Sequence, residues 1–321
     1  MDNITVLVLA NPADPQLVKL EALPESTSIA VGLSPEAFER TAPDATVLLN
    51  WALQPELLRE VFGLCTTLQW VHMRSAGLDT QLFPELVHSP VTVTNTKGIY
   101  SESLGEFALA AILYFAKDFR RMIRNQAASR WEPFDVEWAE GATVGIVGYG
   151  DIGRAAARKA QACGMKVLAL KRNVPGAKDE IADRVYAPQQ RVEMLGQCDY
   201  VICAAPLTPE TQGLIGEAEF AAMKSTCVII NVGRGPVIDE AAMVRALEEN
   251  RIKGAALDVF TTEPLPAGHP FYRMENVLLS PHCADHTPDW TDNAMRFFLE
   301  EFERFRKGEP LQNIVDKHAG Y

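Results

Sequence analysis

Short apolar runs alternating with segments of helical period constrain this chain more than any other feature. Residues 4–10, 47–50, 68–73 and 91–95 read as strands, with helical patterns over 16–22 and 55–62 between them. The rhythm restarts at 143–147 and continues through 166–170, 200–204, 227–232, 254–258 and 277–280. Strands separated by helices return by crossover rather than by hairpin, so they pair in parallel and are covered on both faces. Two such sets predict two doubly wound α/β domains. At about 150 residues per domain, a chain of 321 residues fits that number. With 47% apolar residues, each half has enough material for its own core.

Between the two sets lies a helical pattern over 102–128, in which Leu104, Phe107, Ala111, Phe115, Phe119, Met122 and Ile123 recur every three or four residues. Ser103 and Glu106 have the spacing of a capping box for its start. The pattern suits a core helix within one subunit and equally a helix shared with a second copy. Another amphipathic helix is expected over 291–307, after Pro288.

Charge and composition remove several classes of function. Thirty basic against 42 acidic side chains give a net charge of -12, the wrong sign for non-specific binding to nucleic acid or anionic membranes. The longest apolar stretch, 107–116, is well short of the ~18 residues of a spanning helix. The start, Met1-Asp2-Asn3, has neither the basic residues nor the cleavage site of a secretory signal. Six cysteines without C-x-x-C spacing argue against a disulfide scaffold or zinc ribbon. A soluble, cytoplasmic protein is the expectation. His282 and His286 are four apart, but Pro281 and Pro288 bracket them and no third ligand is evident, so no metal site is predicted.

The sharpest local signal is Gly148-Tyr149-Gly150-Asp151-Ile152-Gly153, which follows the strand 143–147 and opens a helix over 152–163. In that context it reads as a dinucleotide cradle. Gly148 allows the tight turn, Gly150 lets the backbone approach a pyrophosphate, and Gly153 lets helix and strand pack closely. Free N–H groups at the helix start, aided by the dipole, hold the anion. The next strand ends Leu170-Lys171-Arg172-Asn173, where an acid would be needed for the ribose hydroxyls of NAD. A cationic pair there attracts a 2′-phosphate instead, so NADP is the favoured cofactor and NAD the alternative.

Further on, three strand ends supply a cation, a carboxylate and an imidazole: Arg234 in Asn231-Val232-Gly233-Arg234-Gly235, Glu263 after Asp258, and His282 after Ser280-Pro281. Singly, each has an ordinary reading as a surface ion-pair partner, a solvated loop acid or one histidine among six. Together they gain weight because the carboxyl ends of strands in doubly wound sheets converge on the ligand crevice.

With these residues in order, the sequence resembles the D-isomer-specific 2-hydroxyacid dehydrogenase family. The resemblance runs through Ser75-Ala76-Gly77-Leu78-Asp79, Asn95-Thr96-Lys97-Gly98, Pro206-Leu207-Thr208, residues 231–235 and 256–260, Glu263-Pro264-Leu265-Pro266, Pro281-His282 and the C-terminal Pro310-Leu311-Gln312-Asn313-Ile314-Val315-Asp316. It implies a Rossmann nucleotide domain, 98–284, inserted into a flavodoxin-like substrate domain made of 1–97 and 285–321. It also implies a homodimer to which the 102–128 helix contributes. By match to the family motifs, Arg234 binds substrate, His282 is the acid/base with Glu263 as its partner, and Asp258 contacts the nicotinamide end. Ser75, Ala76 and Gly77 form the substrate loop, while Pro206, Thr208, Val232 and Gly233 join the glycine motif, Lys171 and Arg172 around the cofactor.

The implied reaction is hydride transfer between NADP(H) and a small 2-keto acid or D-2-hydroxy acid, of the glyoxylate/hydroxypyruvate reductase type. Two alternatives stay open: a nucleotide-responsive, corepressor-like binding module, and a relative acting on 3-phosphoglycerate or D-lactate with NAD. The chain leaves no length for the extra regulatory domain found in some relatives, and formate oxidation is disfavoured because Glu263 stands where that branch has an amide. Departures from the family pattern are Asp151 in place of a basic residue, Lys171 in place of an acid, and Asp285-His286 where small residues are usual. Trp131 and Trp138 are read as packing a domain or dimer surface.

Overall fold

A computed structural model describes residues 3–173 and 179–321. The expectation for Met1 and Asp2 falls outside them. The chain divides into two compact units, one of residues 1–100 and 287–321, the other of residues 101–286.

The first unit carries five parallel strands, β1 (Thr5–Leu9), β2 (Ser28–Gly32), β3 (Val47–Asn50), β4 (Trp70–Met73) and β5 (Thr92–Asn95), in the order β2-β1-β3-β4-β5. The order reverses between β1 and β3. In the second unit, seven parallel strands, β6 (Thr143–Val147), β7 (Lys166–Leu170), β8 (Arg184–Tyr186), β9 (Tyr200–Cys203), β10 (Val228–Asn231), β11 (Gly254–Leu257) and β12 (Val277–Leu279), run β12-β11-β10-β9-β6-β7-β8. Here the reversal lies between β6 and β9. Both units are doubly wound α/β folds, the larger with Rossmann topology. The central strands β3, β4, β9 and β10 are buried along their whole length, which explains their nearly unbroken apolar sequences.

Two strands escaped the sequence reading, and both are sheet edges. β2 begins with two exposed residues, and β8 has only three residues. Neither offers the long apolar run that marks a strand buried on both faces.

The helix expected over 102–128 is two helices, Ser101–Ala116 and Phe119–Ala127. Asp118 interrupts them in the left-handed region at φ 50°, where its side chain accepts a hydrogen bond from the Arg121 N–H and caps the second helix. The apolar period continues across the break because one apolar face follows another. Nor does Ser103 cap: the first helix starts at Ser101, and the Ser103 hydroxyl donates to the Ala284 carbonyl at 2.7 Å. The C-terminal helix spans Trp290–Lys307 and lays Phe298 against Trp70 of β4, ring centroids 5.5 Å apart.

Beside that contact, His72 is completely enclosed. The Thr94 hydroxyl accepts from the Trp70 indole N–H and lies 2.8 Å from His72 Nδ1. Burial lowers the His72 pKa to about 3. Between the unfolded value of about 6.5 and that folded value, only the unfolded chain takes up the proton. Stability is therefore expected to fall as pH drops below about 6.5, with a contribution from this side chain approaching ~1.4 kcal/mol per pH unit. Urea midpoints measured from pH 7 to pH 4 should show a shallower acid slope for His72→Phe than for the native chain. Equal slopes would assign the acid sensitivity elsewhere.

Candidate active site

The glycine motif leaves β6 and enters the helix Asp151–Ala162, as its strand–turn–helix context requires. Gly148 has φ 93°, and a Cβ there would lie 2.4 Å from the Ala205 nitrogen, so β9's exit closes on this turn. A Cβ on Gly153 would lie 2.2 Å from the Gly148 carbonyl oxygen. At Gly150 a Cβ would meet nothing within 4 Å. Two glycines are thus needed for packing, while the third faces open space at a helix N-terminus. That combination fits a pyrophosphate lying against backbone N–H groups.

Tyr149 is nearly buried. Its hydroxyl donates to Asp179 Oδ1 at 2.8 Å, and Arg154 Nη1 reaches Asp179 Oδ2 at 2.9 Å. Burial works to raise the Asp179 pKa, but the N–H groups of Ala182 and Ile181, the Tyr149 hydroxyl and Arg154 outweigh it and hold the carboxyl well below its ordinary range. Asp179 and Arg154 were not anticipated, because nothing in their spacing announces a pair 25 residues apart.

Lys171 and Arg172 are exposed just beyond β7, where the Lys171 N–H donates to the Tyr186 carbonyl at 3.0 Å. Arg172 lies close enough to Glu210 for its charge to help depress that carboxyl, chiefly held down by a hydrogen bond from Thr208. The basic turn and the Pro206–Thr208 segment are therefore neighbours. In that segment the Thr211 hydroxyl accepts from the Thr208 N–H at 2.8 Å and donates to the Pro206 carbonyl at 2.6 Å.

Beyond β10, Asn231 organises the arginine loop from a buried position. Its Oδ1 accepts from the Gly233 N–H at 3.1 Å, and its Nδ2 donates to the Arg234 carbonyl at 3.1 Å. Val232 and Gly233 are buried in this turn, and Arg234 is partly exposed. Beyond β11, Asp258 is 1% exposed. Its Oδ1 accepts from the Ser280 hydroxyl at 2.6 Å, the Cys283 N–H at 3.0 Å and the Ala284 N–H at 3.1 Å. These bonds brace the loop on which His282 adopts φ 52°.

His282 Nδ1 meets Glu263 Oε2 at 2.6 Å, while Glu263 Oε1 accepts from the Phe260 N–H at 2.9 Å. The hydrogen bond to Glu263 raises the His282 pKa. Burial and Arg234 oppose the rise, and the charges of Glu263 and Asp258 assist it. Burial pushes Glu263 up, yet the bond to His282, the Phe260 N–H and the charges of His282 and Arg234 bring it below its ordinary value. Arg234, Glu263 and His282 thus form one electrostatic cluster. With Nδ1 committed to Glu263, Nε2 is the nitrogen left to exchange a proton with a ligand.

Asp285 is largely buried, and burial raises its pKa. The His286 Nε2 lies 3.7 Å from its carboxylate. In the other unit, Ser75, Ala76 and Gly77 follow β4. The Ser75 hydroxyl donates to the Gly77 carbonyl at 2.8 Å, and Asn95 Nδ2 donates to the Ala76 carbonyl at 2.7 Å, a brace the sequence reading missed. Trp131 and Trp138 are 97% and 77% exposed.

Residues 109–284 match the family model described as the D-isomer specific 2-hydroxyacid dehydrogenase, NAD binding domain. The glyoxylate reductase of Korarchaeum cryptofilum is 33% identical over 269 residues, covering 81% of this chain and 80% of its own. Among solved structures, an NADPH-dependent glyoxylate/hydroxypyruvate reductase from Sinorhizobium meliloti, in complex with NADP and sulfate, superposes with a TM-score of 0.87 at 27% identity, covering 99% of this chain and 100% of its own. A D-isomer specific 2-hydroxyacid dehydrogenase from Xanthobacter autotrophicus Py2, in complex with NADPH and MES, gives 0.86 at 29% identity with both chains fully covered. The chain therefore belongs to the D-isomer-specific 2-hydroxyacid dehydrogenase family and is an NAD(P)-dependent oxidoreductase.

Proposed function

We propose that this protein reduces a small 2-keto acid of the glyoxylate or hydroxypyruvate type to its D-2-hydroxy acid, with NADPH as the preferred reductant. The observation that carries the reading is the 2.6 Å bond from His282 to Glu263 within the field of Arg234. The names of the Korarchaeum, Sinorhizobium and Xanthobacter proteins support the substrate and cofactor classes. In this reading, residues 101–286 hold the dinucleotide and residues 1–100 with 287–321 hold the substrate.

When bound, the reduced nicotinamide supplies the hydride that enters the keto carbon. Protonated His282 gives its Nε2 proton to the carbonyl oxygen, and Glu263 holds the ring and stabilises its charge. Arg234 bridges the substrate carboxylate and carbonyl oxygen, orienting the carbon and steadying negative charge as it develops. The N–H groups of Ala76 and Gly77, with Ser75 shaping their turn, are donors for the substrate carboxylate. Asp258 positions His282 through the loop it braces, beside the nicotinamide end.

The pyrophosphate rests on the backbone from Gly148 to Gly153, with Tyr149, Asp151 and Ile152 contributing N–H groups rather than cations. Lys171 and Arg172 grip the 2′-phosphate, while Pro206, Thr208, Val232 and Gly233 flank the dinucleotide. The apolar surface of Phe119, Met122, Ile123, Trp131 and Trp138, each at least 42% exposed, supports a homodimer. All six cysteines are free thiols, which agrees with a cytoplasmic setting.

Glyoxylate or hydroxypyruvate should consume NADPH, followed at 340 nm, and His282→Ala should lower kcat by ~10²–10⁴-fold. Undiminished turnover in that variant would remove His282 from the mechanism. Absence of turnover with any keto acid would favour the partner-recruiting alternative.

Because reduction needs the imidazolium and the His282 pKa is raised, kcat/KM should hold at low pH and fall as pH rises through a value above 6.5. Glu263→Gln removes the largest contribution to that rise, so the falling limb should move to lower pH. A limb that stays in place would separate Glu263 from the titration.

For the cofactor, Lys171→Asp combined with Arg172→Ala should lower the NADPH/NADH ratio of kcat/KM at least about tenfold, the weight of one charge-assisted hydrogen bond. An unchanged ratio would place phosphate recognition outside this turn.

A further inference from the structure

Arg74 is the residue that the reaction just described leaves unused. It follows β4 and immediately precedes Ser75-Ala76-Gly77. Its Cζ lies 5.0 Å from the ring centroid of Trp51 and 5.6 Å from that of Trp290. The Nε is buried without a hydrogen-bond partner. Among the described residues, no carboxylate lies within ion-pair distance of the guanidinium. The neighbouring acid, Asp14, is engaged elsewhere: Oδ2 accepts from the Trp51 indole N–H at 2.8 Å and Oδ1 from the Gln16 N–H at 3.1 Å. Burial lowers the Arg74 pKa, with Tyr100 and Asp14 opposing the change.

The placement of these side chains is as informative as their chemistry. Asp14 follows β1, Trp51 follows β3, Arg74 follows β4 and Tyr100 lies beyond β5. All stand beyond the carboxyl edge of the five-stranded sheet, around the β1/β3 reversal where open α/β sheets take their ligands. Trp290, from the start of the C-terminal helix, completes the group. Two indoles stabilise a cation without satisfying its N–H donors. A partly buried guanidinium in that condition gains most from a charged, planar acceptor.

We propose that Arg74 is a substrate-anion residue, binding a second carboxylate on the 2-keto acid in addition to the one assigned to the N–H groups of Ala76 and Gly77 in the same unit. This rests on the proposed reduction and extends its substrate class from 2-keto monoacids to 2-keto diacids. The N–H groups of Ala76 and Gly77 already account for one carboxylate. A further cation of fixed charge at the same sheet edge accommodates a ligand with another.

The test compares the native protein with Arg74→Met and Arg74→Lys, using NADPH with glyoxylate and with oxaloacetate. Arg74→Met should reduce the oxaloacetate/glyoxylate ratio of kcat/KM about tenfold, mainly through KM for oxaloacetate, and Arg74→Lys should recover part of the loss. A purely structural brace would change both substrates by one factor and leave the ratio untouched, and that result overturns the proposal. If the native protein turns over neither acid, the proposed reduction fails and malonate binding decides the subsite. Saturable quenching of tryptophan fluorescence by malonate should then be about tenfold weaker in Arg74→Met. Equal quenching in the two proteins overturns it.

Discussion

The site depends on one buried carboxylate oxygen. Oδ1 of Asp258 collects a hydroxyl and two backbone N–H groups from residues 280–284, fixing a loop whose central residue, His282, adopts a left-handed backbone. A non-glycine residue persists there only when its surroundings over-determine it. Three short bonds to one acceptor supply that determination. They also let His282 meet Glu263 in a defined orientation. The arginine loop follows the same logic, with Asn231 bonding to its own turn on both sides. In each case a buried polar side chain at a strand's end fixes the loop that carries a charged group.

Electrostatics then separates the two titrating partners. The shared bond favours the charged form of both, raising His282 and lowering Glu263. Arg234 pulls in the opposite sense on the imidazole and so limits the rise. An acid that must give up its proton and recover it benefits from such a balance.

Much of this was legible in the chain. Strands buried on both faces announce themselves as apolar runs, and the glycine motif carries its own context, so β6 and the turn after it lie where expected. Arg234, Glu263 and His282 were singled out because each follows a strand of one sheet, and the structure brings them into one electrostatic cluster. The edge strands β2 and β8 were not, since half-exposed segments lose the apolar signal. The break at Asp118 was hidden because the apolar period continues through it. The braces at Asn95 and Asp179, and the indoles around Arg74, depend on contacts between distant segments. Such contacts leave no periodicity to read.

The five-stranded unit is assembled from both ends of the chain. Phe298 stacks on Trp70, and the Val315 N–H donates to the Val93 carbonyl at 2.9 Å. The N-terminal strands therefore complete their core only when the segment from Trp290 to Val315 has been made. The contiguous seven-stranded unit is synthesised in between and can close sooner. During translation the early strands, with β5 still uncovered, are the portion most in need of chaperone protection, and a stalled or C-terminally clipped chain exposes that edge again.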